Sequence, residues 1–356
     1  MNTTILRTAL LGLAASPALA AADNLQLYGR INLGVEAMRV HGGASSTRLS
    51  SYRSVFGVRG SEELGGGMRV LFQVESALSP DTGAGTIAAR DTRVGIEGRW
   101  GTLFAGNWTT PYTGSTTGLD PFYPTTAGYM SIMGNGSAAS ANNASDTSSF
   151  DRRQQNSLHY WTPAWRGLSL RLAHGFNEES PPNGAKPSLT SGALVYEEGR
   201  LYATLAHEHH REYRGPGLDD RGSKLGAAWQ FGATRVAAVA EQLHYETAAG
   251  DLERRAYYLS LVRQSGPHAW KLGVANARDG KGTTTERVGF ARTGGSGAVH
   301  ATLGYDYALS KRTTVSAFYT HLDNGARGVV DFAINGLGAP AGSTVSGISL
   351  GVRHGF

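Results

Sequence analysis

Past its first two dozen residues the chain alternates. Leu25, Leu27, Gly29, Ile31, Leu33, Val35 and Ala37 fall on one face of an extended strand, and Gln26, Tyr28, Arg30, Asn32 and Glu36 on the other. Period two held over about a dozen residues outlasts the usual globular strand and matches a tilted strand that crosses a bilayer. The alternation returns at Met68, Val70, Phe72 and Val74, at Leu168, Leu170 and Leu172, at Leu225, Ala227, Trp229 and Phe231, at Trp270, Leu272 and Val274, and at Leu303, Tyr305 and Tyr307. Short connections such as Trp100-Gly101, Glu197-Glu198-Gly199 and Phe231-Gly232-Ala233 alternate with long ones rich in Gly, Ser, Thr and Asn. Tight turns at one end and long loops at the other are how outer-membrane barrels are built.

Strands counted between these connections predict an all-β fold, a 16-stranded antiparallel transmembrane β-barrel around an aqueous lumen. One connection, from about Thr109 to about Arg152 between strands five and six, far exceeds the rest and is polar and small-residue-rich. A loop of that length is usually functional or disordered. Folded inward it would form a constriction. A soluble β-sandwich or β-helix alternates too, its polar face in bulk water and its apolar face in a core. Trp and Tyr near many strand ends, among them Trp100, Trp165, Trp229, Trp270 and Tyr307, favour a barrel with interfacial girdles.

Composition narrows the picture. The 49 glycines without a triplet period, beside 12 prolines, fit tight turns and bent strands. No cysteine is present, so a closed hydrogen-bonded barrel rather than disulfides must supply stability. Residues 1–20 read as a signal peptide: Arg7, the short apolar run Leu10 to Ala15, a break at Ser16-Pro17, and cleavage after Ala20 or Ala22. The remainder, 21–356, reads as a single barrel. No later run approaches the length of an apolar spanning helix. A formal net charge of +5 without any basic block argues against nucleic-acid binding.

Candidate chemistry is sparse. His207-Glu208-His209-His210 resembles a metal cluster, but on a strand His207 and His209 share a face and His210 points away, so a solvated rim is expected. Gly280-Lys281-Gly282-Thr283 lacks P-loop spacing, and no G-x-S-x-G elbow or H-E-x-x-H helix occurs. No enzyme, cofactor or metal is expected. If apolar residues face lipid, Arg30, Arg59, Arg69, Glu75, Arg171 and Lys224 face lumen water, and their field would bias ions weakly toward anions.

The motifs Leu27-Tyr28-Gly29-Arg30, Phe56-Gly57-Val58-Arg59-Gly60-Ser61-Glu62-Glu63-Leu64-Gly65-Gly66-Gly67, Arg90-Asp91-Thr92-Arg93-Val94-Gly95-Ile96, Gly101 to Gly106, Asn156 to Tyr160, Tyr307 to Thr313 and the terminal Gly351 to Phe356 stand in order along the chain. Together they resemble the general trimeric porins of Gram-negative bacteria, in their β-proteobacterial form. The resemblance implies a homotrimer in outer-membrane lipid, a third loop folded inward, and passive passage of ions and small hydrophilic solutes. It also implies a terminal Phe356 read by the barrel-insertion machinery. The runner-up is a substrate-specific channel with a solute site, and a plugged adhesion barrel is a third reading.

By position, Arg30 and Arg90 match the family's basic wall. Val55 and His159 stand where the family has Arg, and Asn107 replaces another. Arg53, on the face of Val55, would partly compensate, and Asp120 is the loop's central acid. Arg30, Arg53, Arg59, Arg90, His159, Asp120 and Glu75 are thus the expected constriction residues. On a wet wall His159, with a reference pKa near 6.5, would add charge below about pH 6. One conflict is visible: alternation from Val94 and Ile96 turns Arg90 toward lipid, so either Val94 faces inward or a bulge intervenes.

Overall fold

The computed structural model describes residues 24–356, so the leader lies outside the described residues. Among these residues one sheet closes into an antiparallel barrel of 16 strands. The first half comprises β1 (Gln26–Val40), β2 (Ser45–Ser51, resuming as Ser54–Gly65), β3 (Met68–Ser79), β4 (Ala84–Thr86, resuming as Thr92–Gly98), β5 (Gly101–Thr109), β6 (Asp151–Trp161), β7 (Leu168–Gly175) and β8 (Ser188–Glu198). The second half comprises β9 (Leu201–Arg211), β10 (Asp220–Phe231), β11 (Thr234–Thr247), β12 (Gly250–Ser265), β13 (His268–Ala277, with Lys281–Gly282 beyond it), β14 (Ala298–Ala308), β15 (Thr313–Asn324) and β16 (Thr344–Gly355). β16 closes on β1 from Arg30↔Gly355 to Val40↔Val345. The Gly29 and Phe356 backbones extend that seam with reciprocal bonds of 3.0 and 3.1 Å. Closure leaves no sheet edge, the condition for a strand-built protein in lipid.

The alternation in sequence is the alternation in space. Leu27, Val35, Leu205, Leu225, Leu259, Leu303 and Leu350 project outward and stay exposed, while Glu36, Glu208, Lys224 and Glu241 project inward. Trp100, Trp165, Trp229, Phe231, Trp270 and Tyr307 are exposed aromatics at the short-turn end, as an interfacial girdle requires. Tyr52, Phe104 and Trp108, similar in sequence context, are buried instead.

The lumen is not simply aqueous. Residues 110–150 leave the end of β5 through a four-residue helix, Pro111–Gly114, and three short 3-10 turns, and pack against inward side chains of β8 to β14. Leu119, Tyr129, Met130, Ile132 and Met133 form an apolar cluster with wall residues Val239, Tyr258 and Ala275. Val330, Phe332 and Ile334, from the connection between β15 and β16, join it. Part of the barrel interior is therefore a core. The sequence hides this because apolar loop residues lack periodicity.

Two expectations are corrected by this packing. Lys224, expected in lumen water, is enclosed, its Nζ 3.4 Å from Glu241 and 4.0 Å from the Tyr112 ring centroid. Glu208 and His210, expected on a solvated rim, are fully buried. His210 stacks on Phe150 at 4.1 Å and on Tyr213 at 4.4 Å, with its Nε2 2.8 Å from Glu208.

Candidate functional site

The Arg90 conflict resolves at a break in β4. Val94 is 58% exposed and faces outward, so it does not turn inward. The ladder with β3 instead begins at Gln73↔Arg93, and residues 87–91 form an irregular bend in which Ala88 has a φ of +58°. A non-glycine residue there is uncommon and marks a forced change of direction. The bend lets Arg90 point inward, its Nε 2.9 Å from Glu75. Two features hold the bend. The Arg90 amide donates to the Glu75 carbonyl at 3.0 Å. The Asn107 side-chain amide donates to the carbonyls of Ala89 and Arg90, each at 3.2 Å. Asn107, a departure from the family pattern, thus positions the arginine segment.

Around Arg90 lies a cavity of about 370 Å³ between wall and loop. The wall contributes Arg30, Glu75, Arg90, Asp91, Arg153 and Arg171. The loop contributes Thr110, Thr117 and Tyr123, which are neutral and hydroxyl-bearing. Glu75 pairs with Arg90, and Asp91 with Arg153 at 2.6 Å. The Asp91 carboxylate also accepts from the Thr109 amide at 3.0 Å and the Thr109 hydroxyl at 2.9 Å. The Arg90 guanidinium, like any arginine, keeps its charge there. Arg30 donates to the Arg53 carbonyl at 3.0 Å, and Arg171 lies 5.1 Å from the Trp161 ring centroid. Neither is ion-paired among the described residues.

The remaining expected residues scatter. Arg53 sits in the break of β2 with a φ of +50°, donating to the Tyr123 hydroxyl at 3.1 Å, at the margin of the cavity. Val55 lines the cavity. Arg59 lies toward the short-turn end, bonded to Gln26 at 3.0 Å and away from the cavity. Asp120 does not face the arginines. It is 5% exposed and turned toward the far wall, accepting from the Phe122 amide at 3.0 Å, the Tyr129 amide at 2.8 Å and the Tyr258 hydroxyl at 2.7 Å. The acids opposite the cations are therefore wall residues, not loop residues.

His159 is also displaced from its expected place. It points inward but is fully buried, stacked on Phe104 at 4.8 Å with its Nε2 3.0 Å from Ser157. The same cluster encloses the Arg93 guanidinium, 4.6 Å from the Phe104 centroid and 4.3 Å from that of Trp108. Sequence reasoning missed two charged residues of the cavity, Asp91 in the bend of β4 and, beside it, Arg153. Arg153 lies at the loop's exit into β6 and Asp91 in the break of β4, where no alternating pattern assigns a face.

The comparisons with known proteins agree with this architecture. The Gram-negative porin family profile matches residues 8–327. Outer membrane porin protein 32 of Delftia acidovorans is 27% identical over 98% of this chain and 98% of its own length. Major outer membrane protein P.IB of Neisseria gonorrhoeae is 25% identical, covering 91% of this chain and 95% of its own. Among solved structures, an anion-selective porin from Comamonas acidovorans superposes with a TM-score of 0.80 at 24% identity, covering 94% of this chain and 99% of that one. The trimer form of OmpT from Vibrio cholerae gives 0.66 at 15% identity, covering 94% and 99%. At such identities the structural likeness speaks for the fold, while the family match spans most of the chain. This chain belongs to the Gram-negative porins and forms a channel through the outer membrane.

Proposed function

We propose that the channel favours anions and passes small hydrophilic solutes through the gap between the arginine wall and the inward loop, which acts as the constriction. The observation that carries this reading is the charge balance of the cavity. Glu75 and Asp91 each engage one arginine, and Arg30 and Arg171 are left without a carboxylate partner beside a neutral loop surface. In a narrow site with low-dielectric walls, two uncompensated cations raise the local anion concentration without trapping the ion. The relative described as an anion-selective porin supports the same direction.

In this reading the working unit is a homotrimer, residues 1–20 are a leader removed on export, and 21–356 is one barrel. Phe356, exposed at the barrel seam, presents the final strand to the insertion machinery.

Reversal potentials in a salt gradient test the ion preference. Arg30→Ala should lower the anion-to-cation permeability ratio roughly two- to fivefold, the equivalent of about 0.5–1 kcal/mol from one partly hydrated charge. Arg211→Ala, on the exposed end of β9, should leave it unchanged. Equal effects from the two variants would overturn the assignment.

A further inference from the structure

Aromatic rings line the same cavity as the arginines, and a preference for charge alone makes no use of them. Trp108 lies near the end of β5, Trp161 ends β6, and Tyr123 comes from the inward loop. The register sets Trp161 directly opposite Arg171 on β7, and residues so paired share a face and touch. The Arg171 guanidinium accordingly lies on the indole, 5.1 Å from its ring centroid. Packing fixes both indoles: the Phe104 ring meets Trp108 edge-on at 5.2 Å and Trp161 at 5.1 Å. Val55, which stands where the family has an arginine, adds a branched apolar surface to the same lining.

Each of these rings also carries a guanidinium. Arg93 lies 4.3 Å from the Trp108 centroid and 5.6 Å from that of Trp161, and Arg53 lies 5.7 Å from that of Tyr123. Arg93 does not itself line the cavity, so it backs the indoles from behind the wall. A bare aromatic wall has a negative face and selects cations. A guanidinium against the ring offsets that face, and the rings become apolar contact surface that an anion can approach. The charged lining is Arg30, Arg90, Arg153 and Arg171 against Glu75 and Asp91, so a positive excess remains for the anionic end of a guest. The cavity, about 370 Å³, falls in the size range of small-molecule sites, roughly 300–1,000 Å³, which combine mostly apolar walls with a few placed polar groups.

We propose that this side of the constriction is a subsite for carboxylates with a flat apolar body, aromatic acids foremost. The carboxylate sits on Arg171, where a guanidinium can hold it through two parallel bonds, and the ring lies along Trp108, Trp161 and Val55. The proposal rests on the anion preference argued above and narrows it to a class of solute. Such a guest pauses in the channel and leaves again, as passage through a weakly binding site requires.

Block of chloride current tests it, with the full-length protein in a planar bilayer at pH 7 and benzoate, acetate or benzamide added to the bath. Benzoate should block saturably and reach half-block at a concentration roughly tenfold below that of acetate. Benzamide, with the ring but without the charge, should not block. Trp161→Leu should raise the benzoate half-block concentration roughly fivefold and leave that of acetate in place. Arg171→Gln should weaken both. Equal half-block by benzoate and acetate in the parent, or no block by benzoate, overturns the proposal without recourse to any variant. A reversal potential in potassium chloride that still reports anion preference would then leave the charge reading standing, and one that does not would overturn both. Block by benzamide equal to that by benzoate, or a Trp161→Leu variant that weakens acetate as much as benzoate, overturns the proposal as well.

Discussion

His159 and Arg93 share one environment, a set of rings formed by Phe104, Trp108 and Trp161. A guanidinium loses hydration there and recovers part of it from the ring faces. The imidazole closes the set by stacking on Phe104, and no path connects it to channel water. It therefore adds nothing to the pore field when the bath is acidified. Between about pH 7 and about pH 5, where an accessible histidine would titrate, the reversal potential of His159→Ala should track that of the parent. An acid-induced shift toward anions present in the parent and lost in the variant would show that the ring does titrate into the pore. Position along the strand gave the correct inward direction for His159, but direction alone does not distinguish a wall residue from a buried one. The difference is made by Phe104 and Trp108, which read as girdle aromatics from sequence because they lie near a strand end.

At the scale of elements, the inward loop is held by directed bonds as well as by apolar packing. Glu241 on β11 is the hub. It accepts from the Tyr112 hydroxyl at 2.7 Å and the Gly134 amide at 2.8 Å, and it neutralises Lys224. Ser260 and Arg254 on β12 donate to the loop carbonyls of Leu119 and Ile132 at 2.8 and 3.1 Å. Inward glycines make the seats. A Cβ at Gly304 would lie 2.5 Å from the Phe122 ring, and one at Gly222 would lie 2.8 Å from Phe150. The glycine abundance was legible as turns and curvature, but its use as a bed for loop aromatics was not, since that depends on which loop lies opposite.

Asp120 gives the docked loop a pH dependence. Burial raises its carboxyl from 3.8 to about 6, against the opposing bonds from Tyr129, Phe122 and Tyr258. A folded-state value above the unfolded one means that the docked loop binds the proton more tightly. Docking is then strongest below the unfolded value and weakens as pH rises through about 6, by at most about 3 kcal/mol. Open-channel current noise should accordingly grow between about pH 5 and about pH 7 in the parent and be flat in Asp120→Ala over the same window. Noise that is independent of pH in the parent would refute the linkage.

For the whole molecule, strand number, alternation and turn placement were legible because lipid on one side and inward groups on the other impose period two on most strands. Among the exceptions are local breaks at Tyr52-Arg53 and at residues 87–91, where side chains are re-aimed into the channel. A break of this kind has no compositional signature, so periodicity assigned Arg90 to the wrong face. At the barrel seam, a Cβ on Gly29 would meet the Phe356 ring at 2.3 Å and the Val55 carbonyl at 2.8 Å. Gly29→Val should therefore lower the temperature at which the folded band converts to the unfolded band on electrophoresis, consistent with an overpacking cost of about 1–3 kcal/mol. Gly43→Ala, whose Cβ would meet nothing nearer than 3.4 Å, should leave that temperature unchanged. A Gly29→Val barrel as heat-resistant as the parent would count against tight packing at the seam.

That seam also fixes an order of events. Residues 30–40 find their second partner only in residues 345–355, so the earliest strand must wait for the last before either is satisfied on both sides. Each intermediate, however many hairpins it has completed, carries two open edges that invite pairing with another chain. Maturation of this porin is therefore a race between ring closure and intermolecular strand exchange. Delivery of the final strand, more than formation of any hairpin, decides which wins.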